Sequence, residues 1–302
     1  MELNWLEDFL ALASAGNFSR AAEARHVTQP AFSRRIRALE TWIGAPLFNR
    51  TTAGVEMTPA GESLRPGAEE IVRRIRHVAQ EVREVAGQST ASLKFAATHA
   101  LSFTFFPGWM RDLELGGVLG PLRLVSDSMQ ACEDLMLQGN AQFLLCHGHE
   151  LLQTRFAPAS FRALTVGHDA LVPFSAPSPA GGPMWSLDAQ AESTPYLAYS
   201  PESGLGRILE ATAFAAFDGP VLEKRMTSHL AATLMSMARD GRGVCWLPND
   251  LAKDDVAAGR LIPASTSARW SIPIQVRLIR PAARQSAAAE SFWSLARDRA
   301  GA

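Results

Sequence analysis

The sequence predicts an α/β chain in two parts: a small helical N-terminal domain ending in a β-wing and a long helix, then a larger domain of alternating strands and helices. Three observations predict it. The first fifty residues carry apolar side chains at helical spacing, residues 64–85 hold a heptad stripe, and from Leu93 onward short apolar runs alternate with helical stretches.

At 302 residues the chain is long enough for two or three domains, each with its own core. Hydrophobic residues at 47 % and charged residues at 20 % fit an ordinary soluble globular protein rather than a disordered or fibrous one. No apolar run approaches the roughly 20 residues of a membrane span. The opening "MELNWLEDFL" has acids where a secretory signal would be basic, so a cytoplasmic protein with no membrane partner is expected. Cys132, Cys146 and Cys245 are odd in number and widely spaced, which argues for reduced, partly buried thiols.

Net charge is −1, but its distribution is uneven. From Asn17 to Arg50 six arginines face two glutamates, a local surplus suited to phosphate. The first helix is "NWLEDFLALASAG", with Trp5, Leu6, Phe9, Leu10 and Leu12 on one face and Gly16 as its C-cap. A short helix follows in "NFSRAAEARHV", capped by Ser19, with Ala21 and Ala22 small enough to admit a neighbouring helix. After a tight turn comes "TQPAFSRRIRALETWIG", where Thr28 can cap, Pro30 sits in the first turn and Gly44 ends the run.

In this third helix Phe32, Ile36, Leu39 and Ile43 recur at spacings of 4, 3 and 4 and point inward. Gln29, Ser33, Arg34 and Arg37 then point out, the side-chain chemistry that reads base edges and phosphates in a DNA major groove. A solvated arginine-rich face is the plainer alternative. "APLFNRTTAGVEMTPAG" has the Gly, Thr and Pro content of a wing, with Arg50 placed to touch a DNA backbone.

Residues 18–61, "FSRAAEARHVTQPAFSRRIRALETWIGAPLFNRTTAGVEMTPAG", resemble the winged helix-turn-helix of LysR-type transcriptional regulators nearly position for position. The resemblance implies that Thr28, Gln29, Pro30, Ser33, Arg34, Arg37 and Arg50 contact operator DNA. Arg35 lies nearer the flank, and Pro30 shapes the helix start more than it reads a base. The DNA-binding domain is expected to span residues 1–62.

Beyond the wing, Leu64, Ala68, Ile71, Ile75, Val78, Val82 and Val85 recur at alternating spacings of 4 and 3. Such a stripe could pack on its own domain, but the flanking Arg and Glu favour a solvated helix, residues 63–88, that pairs two subunits. Gly87–Ser92 is the expected hinge. Pairing is all the seam requires; tetramers are usual in the family.

From Leu93 the strand candidates are "LKFAAT", "PLRLVS", "QFLLCH", "LTVGHDALVPF", "YLAYS", "GVCWLP" and "IPIQVRLI". Alternation with helices suggests mostly parallel sheet. The resemblance implies a two-lobed, periplasmic-binding-protein-like (Rossmann-like) effector domain over 92–302, one lobe near 92–164 and 268–302, the other near 165–267. Ligands in such sheets collect at strand C-termini. Those ends offer Thr98, His99, Ser102, Ser126, Asp127, Ser128 and His147 in one lobe, and Tyr199, Ser200, Arg207, Thr227, Ser228, His229 and Trp246 in the other. A small, often anionic effector between the lobes is implied, although each hydroxyl could equally be a helix cap.

His99, His147, His149 and His229 fall at strand ends beside Cys146, which would suit zinc or copper. Cys146 and His147 should point to opposite faces of one strand, so neither metal nor other cofactor is expected. The sequence contains no GxSxG, HExxH, Walker loop or GxGxxG, and "GLGR" is too short for a dinucleotide fingerprint. An enzyme, or a solute-binding module with an incidental helical domain, is the alternative from another class. Within the family, "AATHALSF", "MTSHLAATLMSMARDGRGVCWLP" and "AAAESFWSLARDRA" look closest to the hypochlorite-responsive branch. That branch implies sensing by methionine oxidation. Met129, Met226, Met235 and Met237 are candidates, yet Leu113, Leu205 and His229 stand where the branch's sensory methionines are expected. The runner-up effector is an anionic or aromatic metabolite.

Overall fold

The computed structural model describes residues 1–51, 54–86, 92–114, 120–188, 193–215 and 219–301. The chain divides into two compact units, Met1–Ser89 with Leu137–Gly139, and the remainder. Of the expected hinge, Gly87–Ser92, residues 87–91 lie outside the described residues.

The first unit runs α1 (Leu3–Ala15), α2 (Phe18–Ala24), α3 (Gln29–Ile43), β1 (Phe48–Thr51), β2 (Gly54–Met57) and α4 (Pro59–Val85). Gly16 and Gly44 close α1 and α3 in the left-handed conformation, which a residue without a Cβ adopts at no steric cost. The cap of α2 is Asn17, not Ser19: its side chain accepts from the amides of Ser19 and Arg20. Asn one residue earlier leaves Ser19 inside the first turn. Leu6, Phe9, Leu12, Ala21, Ala22, Phe32, Ile36, Leu39 and Leu47 form one buried core, with Phe18 edge-on to Phe32. Each fully buried aromatic or Leu adds about 1.5–3 kcal/mol of transfer free energy.

The second unit comprises β3 (Leu93–Thr98), α5 (His99–Thr104), α6 (Phe106–Glu114), β4 (Leu122–Asp127), α7 (Met129–Leu137) and β5 (Phe143–Gly148). The long β6 (Phe161–Ser175) leads to β7 (Ser193–Tyr199), α8 (Gly204–Ala211), β8 (Val221–Ser228), α9 (Ala231–Arg239) and β9 (Cys245–Pro248). It ends with α10 (Asn249–Ala257), β10 (Ile262–Pro263), β11 (Ile272–Pro281) and α11 (Ala287–Ala300).

Seven strands form one sheet in the order β10-β6-β11-β5-β3-β4, with β9 also on β6. The sheet is mixed rather than mostly parallel. Among the described residues the parallel ladders are those joined through crossover helices, β3 with β4 and β5, and β7 with β8, beside a single parallel bridge from Tyr196 to Val244. Strand β11 runs antiparallel to β5 and β6, and β6 antiparallel to β9 and β10, because β6 and β11 are long strands that span both halves of the unit.

Two separate hydrophobic clusters result. One gathers β3, α6, β5, α11 and the later part of β11 around Phe95, Phe143 and Phe292. The other gathers β7, α8, α9, β9 and α10 around Trp246, Leu247 and Leu209. Strand β8 was not legible in the sequence: its residues "VLEKRMTS" are largely exposed on the edge of a two-stranded sheet, so no apolar run marks it. Cys132, Cys146 and Cys245 are free and buried. Among the described residues no helix is long and apolar enough to cross a membrane.

Candidate functional site

Helix α3 is fixed from behind. Phe32, Ile36 and Leu39 anchor it in the core, while Thr28, Gln29, Pro30, Arg34 and Arg37 are exposed. The turn before it holds His26 at φ 53°, a left-handed conformation that His tolerates better than most side chains. Thr28 occupies the N-cap position without a side-chain cap bond, and Pro30 lies in the first turn. Ser33 is a correction: it is only 9 % exposed, and its hydroxyl accepts from Gln29 Nε2 at 3.0 Å. It braces Gln29 rather than facing outward, because its helical position lies on the border of the buried stripe. Arg50 is on β1, opposite Val55 in the wing.

The arginines of "SRRIR" are not equivalent. Arg34 and Arg37 make no ion pair among the described residues, whereas Arg35 reaches Asp8, a fully buried carboxylate, at 3.3 Å. Asp8 also accepts from Arg25 Nε at 2.8 Å. Glu7 pairs with Arg25 at 2.6 Å and with Arg76 of α4 at 2.5 Å. Burial opposes ionisation of Glu7 most strongly, but Arg76 and Arg25 together outweigh it and hold its carboxyl below the usual value. This network, unforeseen in the sequence, ties α1 to α2, α3 and α4. The wing is held too: Glu40 Oε1 accepts from the Leu47 amide at 2.8 Å, and the Val55 amide donates to Gly16 O at 3.1 Å.

Helix α4 begins at Pro59, earlier than expected, and its heptad stripe divides. Ala68 is fully buried and Leu64 half-buried in the core of its own unit, so the first turns are spent there. Ala68 is thereby removed from the candidate pairing surface. Ile71, Ile75, Val78 and Val82 remain 40 to 61 % exposed, a solvent-facing apolar row. The side chain of Val85 lies outside the described residues.

In the second unit a cavity forms where strand ends meet helix starts. Thr98, His99, Ala100, Asp127, Ser128, Met129 and His147 line it from one side, and Ser203, Gly204, Leu205, His229 and Ala231 from the other. About 30 Å³ is open to the centre of a water-sized molecule, within about 400 Å³ between atoms. Helices α7, α8 and α9 all begin at its wall, so their amide ends contribute positive potential. Two buried polar atoms on these residues have no hydrogen-bond partner among the described residues, Thr98 Oγ1 and His147 Nε2. His147 is 4 % exposed, and burial lowers its pKa to about 4.

Six of the expected ligand residues line this cavity: Thr98, His99, Asp127, Ser128, His147 and His229. Ser102 and Ser126 stand behind it and hold His99, through Ser102 Oγ to Ser126 Oγ at 2.8 Å and Ser126 Oγ to His99 Nδ1 at 3.1 Å. The others are corrections. The Tyr199 hydroxyl donates to Trp246 O at 2.8 Å, and Trp246, fully buried, donates from Nε1 to Trp270 O; both build the second hydrophobic core. Arg207 is drawn instead to the buried Glu133 of α7 at 2.9 Å. Ser228 accepts from the Leu230 amide, Thr227 points from the exposed edge strand, and Ser200 lies one residue past β7, outside the cavity wall.

Sequence reasoning did not place Ala100, Met129, Ser203, Gly204, Leu205 or Ala231 at the effector site, although it singled out Met129 as a candidate for oxidation. Ser203 caps α8 by accepting from the Gly206 amide, and the "SGLG" helix start was the available signal. Among the described residues no group of three or more His, Cys, Asp or Glu could hold a metal ion.

Residues 3–62 match the family described as "Bacterial regulatory helix-turn-helix protein, lysR family", and residues 86–301 match "LysR substrate binding domain". The chain belongs to the LysR family of bacterial transcriptional regulators. This LysR-type protein is therefore a DNA-binding regulator rather than an enzyme, and its mixed sheet with two cores is the two-lobed, periplasmic-binding-protein-like fold. It is 29 % identical over 301 residues to the Escherichia coli (strain K12) HTH-type transcriptional regulator YjiE, covering 97 % of this chain and 93 % of that one. Full-length HypT from Salmonella typhimurium, a hypochlorite-specific LysR-type regulator, is 30 % identical, with TM-score 0.60 and coverage of 100 % and 99 %. The HypT regulatory domain in bromide-bound form is 26 % identical, with TM-score 0.58, and matches 70 % of this chain and 97 % of its own. Vibrio fischeri DarR, solved in complex with DNA, is 29 % identical with TM-score 0.55 and 98 % coverage of both.

Proposed function

We propose that this LysR-type regulator pairs through Ile71, Ile75, Val78 and Val82 of α4, reads two operator half-sites with paired α3 helices, and takes a small anion as effector in the cavity. Thr28, Gln29, Pro30, Arg34, Arg37 and Arg50 are the proposed contacts to DNA. A two-fold pair matches two half-sites about one helical turn, or a multiple of it, apart. Further association to a tetramer is part of the same proposal. The lobes are taken as 92–164 with 268–302, and 165–267.

One observation carries the anion reading: His147 Nε2 and Thr98 Oγ1, on two residues that line the cavity, are buried without a partner among the described residues. A buried polar atom costs about 1–3 kcal/mol unless it is hydrogen-bonded, so a ligand acceptor there repays both. The helix starts at the wall favour negative charge, and the likeness to a bromide-bound regulatory domain supports the same class. The limited free space favours an ion of one or a few atoms over an aromatic acid. A thermal-shift series tests this: small anions are expected to raise the melting temperature at constant ionic strength, and benzoate-sized acids to do nothing. The reverse ranking defeats it.

A second reading, oxidant sensing, is favoured by Met129. It lines the cavity and its side chain lies over Gly204. Hypochlorous acid entering there would pass its oxygen to the thioether sulfur, giving sulfoxide, chloride and a proton. Leu113 and Leu205 have no thioether to offer. Operator binding at fixed salt, after mild hypochlorite and then methionine sulfoxide reductase, separates the two. A change reversed by the reductase and absent in Met129→Leu supports the oxidant.

A further inference from the structure

The charges lining the cavity do not balance for an anion. Its ionisable lining residues are His99, Asp127, His147 and His229, with no lysine or arginine among them. With neutral imidazoles the one full charge at the wall is the Asp127 carboxylate, which accepts from the Ser128 amide at 2.7 Å. An entering anion would then place two negative charges together in a partly desolvated space.

His99 and His229 face each other across this space from the two sides, ring centroids 5.6 Å apart. The hydrogen bonds around His99 set its tautomer. The Ser102 hydroxyl donates to His99 O at 2.7 Å, so the Ser102–Ser126 contact requires Ser126 as donor. Ser126 Oγ must then accept from His99 Nδ1–H, which leaves Nε2 as the basic nitrogen of the neutral ring. Protonation at Nε2 turns an acceptor into a charged donor without disturbing the ring's anchor.

Resting on the anion reading, we infer that effector capture is coupled to proton uptake at the His99–His229 pair, so that this regulator binds its anion together with a proton. Two facing imidazolium rings repel each other in the empty cavity; an anion hydrogen-bonded to both relieves that repulsion. Burial lowers the His99 pKa most strongly; Asp127 opposes it and His229 adds a smaller lowering, so the empty cavity favours a neutral His99. The other groups around the pair do not replace it. His147 is enclosed on β5 and stays neutral. Arg207 is engaged by Glu133, and Glu202, before α8, adds a negative charge on the His229 side.

The test uses full-length protein and sodium bromide, with ionic strength held by sodium gluconate. Apparent bromide Kd is obtained from thermal stabilisation at steps from pH 6.0 to 8.5. The expected result is a Kd that tightens with falling pH, by up to about tenfold per pH unit for each proton taken up. In His99→Gln and His229→Gln together, bromide is bound at pH 6.0 no more tightly than by the wild type at pH 8.5, and the pH dependence flattens. Both side chains are at least partly exposed, so the variant keeps its fold, checked by its circular dichroism. Bromide binding independent of pH in the wild type overturns proton coupling and leaves the anion reading standing, as does a pH slope that persists in the double variant. No response to bromide at any pH defeats the anion reading, and the coupling with it.

Discussion

The three arginines of α3 provide a sharp test of the DNA-binding face, because only their surroundings distinguish them. Arg34 and Arg37 are exposed and free of ion pairs among the described residues, so removing them should leave stability within about 0.5 kcal/mol. In a two-fold dimer the double variant Arg34→Ala, Arg37→Ala deletes four guanidinium groups from the interface. If all four contact phosphate, the slope of log K against log salt becomes shallower by up to about 3.6, at about 0.9 per contact. Any that pair with guanine instead lower affinity by about 1–3 kcal/mol on operator DNA but not on random sequence.

Arg35→Ala should behave in the opposite way. It leaves the fully buried Asp8 with Arg25 alone. Since Arg35 is 35 % exposed and its contact is 3.3 Å, solvent screening limits the loss to about 1–2 kcal/mol. Operator titrations at several salt concentrations and urea unfolding of each variant supply both quantities. If Arg35→Ala weakened operator binding as strongly as the double variant with an unchanged unfolding midpoint, the assigned faces of α3 would be wrong.

Three further outcomes are expected. Ile75→Glu should yield monomers by light scattering with the N-terminal unit still folded, whereas Ala68→Asp should unfold that unit, because an unpaired carboxylate in a closed core costs several kcal/mol. Gly61→Ala should cost about 1–3 kcal/mol, since its Cβ would lie 2.3 Å from Leu47 O; Gly67→Ala in the same helix meets nothing within 4 Å and should stabilise by about 0.5–1 kcal/mol in chemical denaturation. Glu7 has a lowered pKa, so its contribution is complete above the unfolded value near 4.5 and is lost as pH falls through the lower folded value. Unfolding measured from pH 6 to 3 should show that loss, and Glu7→Gln should abolish this part of the dependence.

The helices of the N-terminal unit, their order and their glycine stops were legible in the sequence, because a 3.6-residue apolar period and local capping are properties of neighbouring residues. The same holds for the apolar strands and for Thr98, His99, Asp127, Ser128, His147 and His229, which follow from strands ending where helices begin. Other features depend on partners far along the chain. Helical position sets Arg35 nearer the flank, but its ion pair exists only once Asp8, twenty-seven residues away, is folded against it. The heptad stripe of α4 is uniform in sequence, and only the position of the core decides that Ala68 is spent inside while Ile75 remains outside. Tyr199, Trp246 and Arg207 have the chemistry of ligand contacts, yet a carbonyl or a buried carboxylate brought close by the fold claims each first. Local periodicity thus determined which elements form; long-range packing decided which polar groups were left over for DNA and ligand, because a polar group is free only when no folded neighbour satisfies it.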